Sequence, residues 1–497
     1  MSLLAIDIGT SCCKTGVYSY DGLLLKSTSK EYTVETNGHL SELNPEDVWL
    51  SVITCIKMLI PYTRKDPVKA ISISAMGDTF TPISKDGSSI GNSIVSFDGR
   101  AYEEALFLEN KLGKKKIFDI TGQPIHAMYP GCKMLWINRH KPAMADKVWK
   151  YLCYEEYILW KLGAEPQTSY SSAGRTLLLN IDTALWDERM LELCGIDPAL
   201  LAKPVPSGVE IGTISRKMAG ELNLPENVQL ISGAHDQVCC AVGCAISEEG
   251  EGVNTTGTNE IVYFINNGTN KDLTLQSNLS YSFYTGKEKF ASFCQIFNAG
   301  GAFRWFRDKF FIEKKEIPDT EIFDLMTANM PEGPTGIYFL PHLSGIGTPE
   351  MDYAAKGAIY GLMLDSDRFS LAKAIIEGIC FELNINLEVI EKITQNRTDM
   401  LKVTGGAAKS TRWMRLKADI TGRTVEVYGG LEPGIAGAAV LAGKGCGIFS
   451  TLKEGNETFL KHLDKIVYEP DDAKHIQYSH EFGNYLKIRQ RLKEVIS

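Results

Sequence analysis

Two stretches half a chain apart, AIDIGTSCCKTGVY beginning at Ala5 and VNTTGTNEIVYF beginning at Val253, repeat one pattern: an apolar strand, a turn of glycine and hydroxyl residues, and a second strand. Such a hairpin offers backbone N–H groups and hydroxyls at its tip, where glycine lets a ligand come close. Its recurrence predicts two related domains, each presenting one hydroxyl-rich turn. A chain of 497 residues, 44% of them apolar, has enough material for two such cores. The polar connector ISEEGEG after Gly243 marks the boundary, giving domains 1–243 and 244–497.

The pattern between the hairpins predicts an α/β fold. After a turn at Asp21-Gly22 comes a third strand, LLLKSTSKEYTV, and the runs VKAISISAMG and NVQLISGAHD read as strands ending in Gly and Asp. Helix-like patterns separate them, among them MLWINRHKPAMADKVWKYLCYEEYILWKLG. In the second half, Leu371, Ile375, Ile379 and Leu383 fall at helical spacing. MLKVTGGAAKSTRWMRLKADI reads as strand, Gly-Gly turn and helix, and TVEVYGGLEPGIAGAAVLAG as strand and close-packed helix. Alternation of this kind implies a partly parallel sheet.

Composition removes several classes of function. A formal charge of −9 supplies no basic surplus for nucleic acid, so any anionic ligand must be held by a local site. The opening MSLLAIDIGT lacks a basic segment and reaches Asp7 after few apolar residues, unlike a signal peptide, and no apolar run is long enough for a membrane span. Twelve cysteines without a Cys-x-x-Cys spacing suit a reducing cytoplasm. His235, Cys239, Cys240 and Cys244 match no common zinc pattern, and the last two would share one helix face.

Neither Gly-x-x-x-x-Gly-Lys-Ser/Thr nor Gly-x-Gly-x-x-Gly occurs, so the two commonest nucleotide fingerprints are excluded. What remains is the pair of hairpin turns and the Gly-Gly turns at Gly300-Gly301 and Gly405-Gly406. Asp7, immediately before the first turn, is placed to hold Mg²⁺, and Lys14 to face phosphate. Two hairpins clasping a nucleotide between similar domains is the arrangement of the actin, hexokinase and Hsp70 ATPases. In GAHDQVCCAVG, Asp236 ends a strand and opens a helix of small residues, where it can cap the helix or face the crevice used by α/β proteins.

The ordered series AIDIGTSCCK, LNPEDVW, ISISAMGDTFTPISKDG, SFDGR, KMLWINRHKP, SYSSAGRTLLLNIDTALWDERML, GAHDQVCCAVGCAI, TTGTNE, FLPHLSGIGTPEMDYAAKGAIYGL and VTGGAAKSTRWMRLKADITGRTVEV resembles the FGGY carbohydrate kinases, xylulokinase-type members above all. The resemblance runs from Ala5 to about Gly447. It implies two ribonuclease H-like domains of the actin/hexokinase/Hsp70 superfold with a nucleotide cleft between them. The implied reaction moves the ATP γ-phosphoryl group, with Mg²⁺, to a sugar hydroxyl. The family's catalytic base falls on Asp236 and a substrate contact on Gln237. Gly77 and Asp78 occupy the substrate positions that end AMGDT, differing from the Met-His and Arg-Glu pairs of relatives. Asp98 and Arg100 of SFDGR, with Phe97 where relatives have Trp, either meet substrate or pair with each other. Thr10, Ser11, Lys14 and Thr258 are implied at the phosphates; Gly300, Arg304, Gly406 and Ser410 at the nucleotide, the last two beside adenosine. LSGIGTP also departs from the family, lacking a Glu-Arg pair.

The implied substrate is a ketopentose such as xylulose, with gluconate or a polyol as the alternative. An anionic substrate is disfavoured by Asp78 and Asp236 unless Arg100 compensates. A non-catalytic ATPase of the same superfold is the rival from another class. The expected partners are ATP and a sugar, not nucleic acid or a membrane; a homodimer stays open, and the expected location is the cytoplasm.

Overall fold

The computed structural model describes residues 1–268, 270–310 and 319–496. It divides into two compact units, one of residues 1–247, 280–291 and 431–463, the other of residues 248–279, 292–430 and 464–497. This differs from a single cut after Gly243, because segment 431–463 belongs with the first unit. Its helix Pro433–Gly445 packs on helix Asp236–Gly243, a pairing far apart in sequence.

In the first unit the central sheet runs Glu210–Thr213, Gln229–Ile231, Val68–Ala75, Ser2–Ile8, Cys12–Ser19, Leu24–Glu31, with Ala234–His235 also paired to Val68–Ala75. Ser2–Ile8 lies parallel to Val68–Ala75 and antiparallel to Cys12–Ser19. Leu3, Leu4, Ala5 and Ile6 are completely buried, as expected of a strand covered on both faces. The register Asp7↔Ser74 and His235↔Ala75 brings three parallel strand ends to one edge, so Asp7, Gly77-Asp78 and Asp236 leave the sheet together. That edge is where open α/β sheets bind their ligands.

The small residues of GAHDQVCCAVG have the packing purpose expected of them. A Cβ on Gly243 would lie 2.2 Å from the Pro433 carbonyl oxygen, and one on Gly437 would lie 1.9 Å from that of Cys239. Only glycine permits so close a crossing of two backbones.

A five-stranded sheet, Glu35–Asn37, Leu40–Leu43, Ser93–Ile94, Phe80–Ser84, Val148–Cys153, completes the unit with a two-stranded one. The last of these strands corrects the helical reading of MLWINRHKPAMADKVWKYLCYEEYILWKLG. Helices Pro130–His140, Pro142–Ala145 and Tyr154–Leu162 are there, but VWKYLC between them is a strand. Its short apolar run fits either structure, and pairing with Phe80–Ser84 decides it.

The second unit repeats the motif. Gly252–Thr256 and Glu260–Ile265 form an antiparallel hairpin, Met400–Thr404 runs parallel to the first of these, and Thr424–Tyr428 and Lys465–Tyr468 continue the sheet. The periodic segment around Leu371 is a helix, Arg368–Thr394. Among the described residues no helix is long and apolar enough to cross a membrane.

Candidate active site

Asp236 is the first residue of its helix; His235 holds the cap position, and the helix start has no side-chain cap. Asp236 is therefore not the N-cap residue, although its carboxylate meets the first-turn N–H of Gln237. A third of the side chain, 34%, remains accessible, and Oδ1 has no hydrogen-bond partner; His235 Nε2 lies 3.2 Å away without hydrogen-bonding geometry. Burial pushes the Asp236 pKa up to about 6; the Gln237 N–H and Arg175 oppose the rise and Asp78 adds to it. Burial pushes the His235 pKa down to about 3, so this imidazole is neutral at physiological pH.

Asp7 sits at the end of its strand, where Ser74 Oγ donates a 2.5 Å hydrogen bond to Oδ1. Burial raises its pKa to about 6, Ser74 opposing this and the charge of Asp236 assisting. On the other side is Gly434, whose missing Cβ would stand 2.6 Å from Asp7 Oδ2. The first hairpin tip is held from below: Gly9 N–H donates to Cys12 O at 3.0 Å, and Tyr32 Oη donates to Gly9 O at 2.6 Å. Thr10 is partly exposed and Ser11 exposed at that tip. Lys14 is engaged by Glu432, a residue the sequence did not single out, through a 2.7 Å ion pair.

Gly77 and Asp78 are explained by neighbours distant in sequence. A Cβ at Gly77 would lie 2.6 Å from the His235 ring. Asp78 adopts φ 61°, a left-handed conformation that Asp tolerates better than most residues, and Arg175 grips it with two bonds, Nε to Oδ1 at 3.1 Å and Nη2 to Oδ2 at 2.8 Å. Arg175 Nη1 also donates to Gln123 Oε1 at 3.2 Å. Lys133, completely buried, donates from Nζ to the carbonyls of Asp78 at 3.1 Å and Val95 at 2.6 Å. Burial brings its pKa down to about 8.

Asp98 and Arg100 pair with each other. Asp98 Oδ1 accepts from the Arg100 N–H at 3.0 Å and Nε at 2.7 Å, and Oδ2 accepts from Ser41 N–H at 2.6 Å and Arg100 Nη2 at 2.8 Å. Arg100 Nη2 also reaches Glu42 Oε1 at 2.6 Å. The pair ties the chain near residue 98 to that near residue 41, and both charges are satisfied by protein.

In the second unit, Thr258, Gly300, Arg304 and Gly406 line one pocket of about 850 Å³, together with Thr256, Gly257, Phe303, Arg307, Phe323, Asp324, Ala407, Lys409 and Trp413. The hairpin turn and the Gly-Gly turn dock on each other: Gly300 and Gly301 N–H donate to the Gly257 and Thr258 carbonyls, each at 3.0 Å. A Cβ at Gly300 would strike Gly257 O at 2.4 Å, whereas one at Gly406 meets nothing within 4 Å, because that side is open. Arg304 Nη2 reaches Thr258 Oγ1 at 3.3 Å. Ser410 does not line the pocket; its hydroxyl accepts the Trp413 N–H at 3.4 Å and caps helix Thr411–Thr421. Lys417, on the same helix, was not foreseen. Its ammonium donates to Asn254 Oδ1, to Thr256 Oγ1 at 2.8 Å and to Glu260 Oε1 at 2.7 Å, bolting both hairpin strands from within the core.

Comparison with known proteins agrees with this geometry. The model of the FGGY family of carbohydrate kinases, N-terminal domain, matches residues 2–243, and that of the C-terminal domain matches residues 252–446. The chain is 24% identical to a xylulose kinase of Staphylococcus xylosus, over 98% of this chain and 99% of the relative. It superposes with a TM-score of 0.89 on a ligand-bound xylulose kinase from Lactobacillus acidophilus, at 25% identity over 99% of this chain and 98% of the other. A gluconate kinase from the same organism gives a TM-score of 0.89 at 26% identity, with 99% and 98% covered. With both domain models matched in order across most of its length, the chain belongs to the FGGY family of carbohydrate kinases.

Proposed function

We propose that the chain transfers the γ-phosphoryl group of ATP to a hydroxyl of a neutral sugar, a ketopentose such as xylulose, with Asp236 as general base. The observation that carries this reading is the Asp236 carboxylate: partly open, one oxygen unpartnered, at a helix start where His235 holds the cap position. A base with its pKa raised to about 6 is ionised at neutral pH yet closer to the ideal than an ordinary carboxylate. Gln237, whose Oε1 is likewise unpartnered, supplies a neighbouring acceptor for a sugar hydroxyl.

Neutral substrate follows from how the nearby cations are engaged. Arg175 is bound to Asp78, Lys133 to backbone carbonyls and Arg100 to Asp98 and Glu42. Arg100, already shared between Asp98 and Glu42, is a weak compensator for the carboxylate of a hexonate. Thr10, Ser11 and Lys14 of the first hairpin are assigned to phosphate oxygens, and Lys14 must then share its charge with Glu432. Within the second unit, Thr258 and Arg304 are assigned to phosphate and Gly406 to the nucleoside. Mg²⁺ fits Asp7, because this carboxylate lies at the strand end and no protein cation pairs with it among the described contacts. Such an ion, when bound, neutralises charge on the transferring phosphate. The cytoplasm is the location proposed for such an enzyme.

Steady-state rates of ADP formation on a panel of pentuloses, polyols and hexonates test the assignment. The expected result is the highest kcat/KM on a pentulose; preference for a hexonate would replace this substrate class with the gluconate alternative. The acidity of Asp236 gives a second expectation. A base must be ionised to accept a proton, so kcat falls as pH drops through about 6. Initial rates at saturating substrate across that range measure it; a flat profile would contradict the role of Asp236.

A further inference from the structure

Glu155, the second residue of helix Tyr154–Leu162, is a carboxylate with no exposed surface and, among the described residues, no cation bonded to it. It is surrounded by donors instead. Oε1 accepts from the N–H groups of Gly233 at 3.0 Å and Ser169 at 3.3 Å; Oε2 accepts from the hydroxyls of Ser169 at 2.6 Å and Ser172 at 2.5 Å. Burial raises its pKa, and these four bonds pull against the rise. Ser171, from the same short segment, accepts the His235 N–H on Oγ at 3.1 Å and lies 3.1 Å from Ser169 Oγ.

The two backbone donors held here are two residues apart, so they point to the same side of the strand that leads into Asp236. Its other contact is with Val68–Ala75, through the pairs Ala234↔Ser74 and His235↔Ala75. Gly233 is pressed onto that neighbour so closely that a Cβ would lie 1.7 Å from Ile73 O. The strand end is therefore clamped: backbone of Val68–Ala75 on one side, Glu155 and Ser171 on the other. A slip at Gly233–His235 would carry Asp236 with it, and displacement by about 1 Å is enough to cost about 10²-fold in rate.

We propose that Glu155 is a positioning residue for phosphoryl transfer, fixing the Asp236 carboxylate through the Gly233 and His235 N–H groups with Ser171 as its partner. This rests on the reading of Asp236 as base. It acts without touching substrate, so its signature is a fall in kcat that depends on Asp236. Glu155→Met, similar in volume and without acceptors, is expected to lower kcat about 10²-fold while the KM for ATP stays within about threefold. Ser171→Ala leaves the carboxylate network in place and is expected to cost about three- to tenfold, corresponding to one hydrogen bond; it carries the test should Glu155→Met fold poorly.

The decisive experiment is a double-mutant cycle, with kcat normalised to the fraction of chains that bind ATP. In an Asp236→Asn background, each of the two substitutions is expected to change the residual rate by less than about twofold, because there is no base left to misplace. If Asp236→Asn alone abolishes turnover but the Glu155 and Ser171 variants keep wild-type kcat, or their losses recur in full in the Asp236→Asn background, the positioning role is overturned and the base assignment stands. If Asp236→Asn itself keeps its activity, both are overturned.

Discussion

Replacing Asp236 with Asn lowers kcat for sugar phosphorylation by about 10²- to 10⁴-fold, the range supplied by general base catalysis, and leaves ATP affinity nearly unchanged. Stability moves the other way. The folded carboxyl has its pKa raised to about 6 from 3.8, mainly by burial. Its protonated form is therefore favoured by folding, and the stabilisation this gives at low pH is lost as pH rises through about 6. Asn carries no charge to desolvate, so at neutral pH the thermal midpoint of the variant stays level or rises. Isothermal titration with ATP, calorimetric unfolding and coupled-assay kinetics on one preparation measure all three effects. A residue kept for packing or capping would give the opposite pattern, with lost stability and little change in kcat.

Lys417→Met gives the largest expected loss of stability. Lys417 and Glu260 are both completely inaccessible and only 2.7 Å apart. Removing one partner of a buried pair leaves the other charged among apolar groups, which costs about 3 to 5 kcal/mol, whereas replacing both partners is often neutral or better. Denaturant unfolding is therefore expected to show a marked drop for Lys417→Met and recovery in Lys417→Met/Glu260→Met. Function does not recover in parallel. Asn254 and Thr256 lose their common donor in both variants, so the hairpin bearing Thr258 loosens and the KM for ATP stays elevated. A double variant with both stability and wild-type KM for ATP would show that this ammonium holds the core and not the hairpin.

The two hairpins, the parallel strands and the glycine-rich helix were legible because each is specified locally: apolar alternation broken by glycine and hydroxyls, or small residues in series. Asp7 and Asp236 were legible for the same reason, lying where such strands end. The partners of the site were not. Arg175 reaches Asp78 across 97 positions, and Lys417 reaches Glu260 across 157. Ion pairs of this kind are made by topology, and nothing beside either residue announces them. One signal was present: Lys133 in KMLW, Glu155 and Glu156 in LCYEEYILW, and Lys417 in WMRLKADI are charges set in apolar surroundings. A buried charge requires a partner or several hydrogen bonds, so each of these marked a network before its members were known. Ser410 shows the converse. The resemblance implied a nucleotide contact for it, but a serine before a helix is also a cap, and its hydroxyl has that role here.

ADP formation by the unaltered chain, followed with ATP and Mg²⁺ before and after addition of a pentulose, tests the central claim most directly. The expected record is a negligible rate that rises sharply on addition of the sugar, with one sugar phosphate formed per ADP. Steady ATP turnover that is indifferent to sugar, with no phosphorylated product, would contradict it.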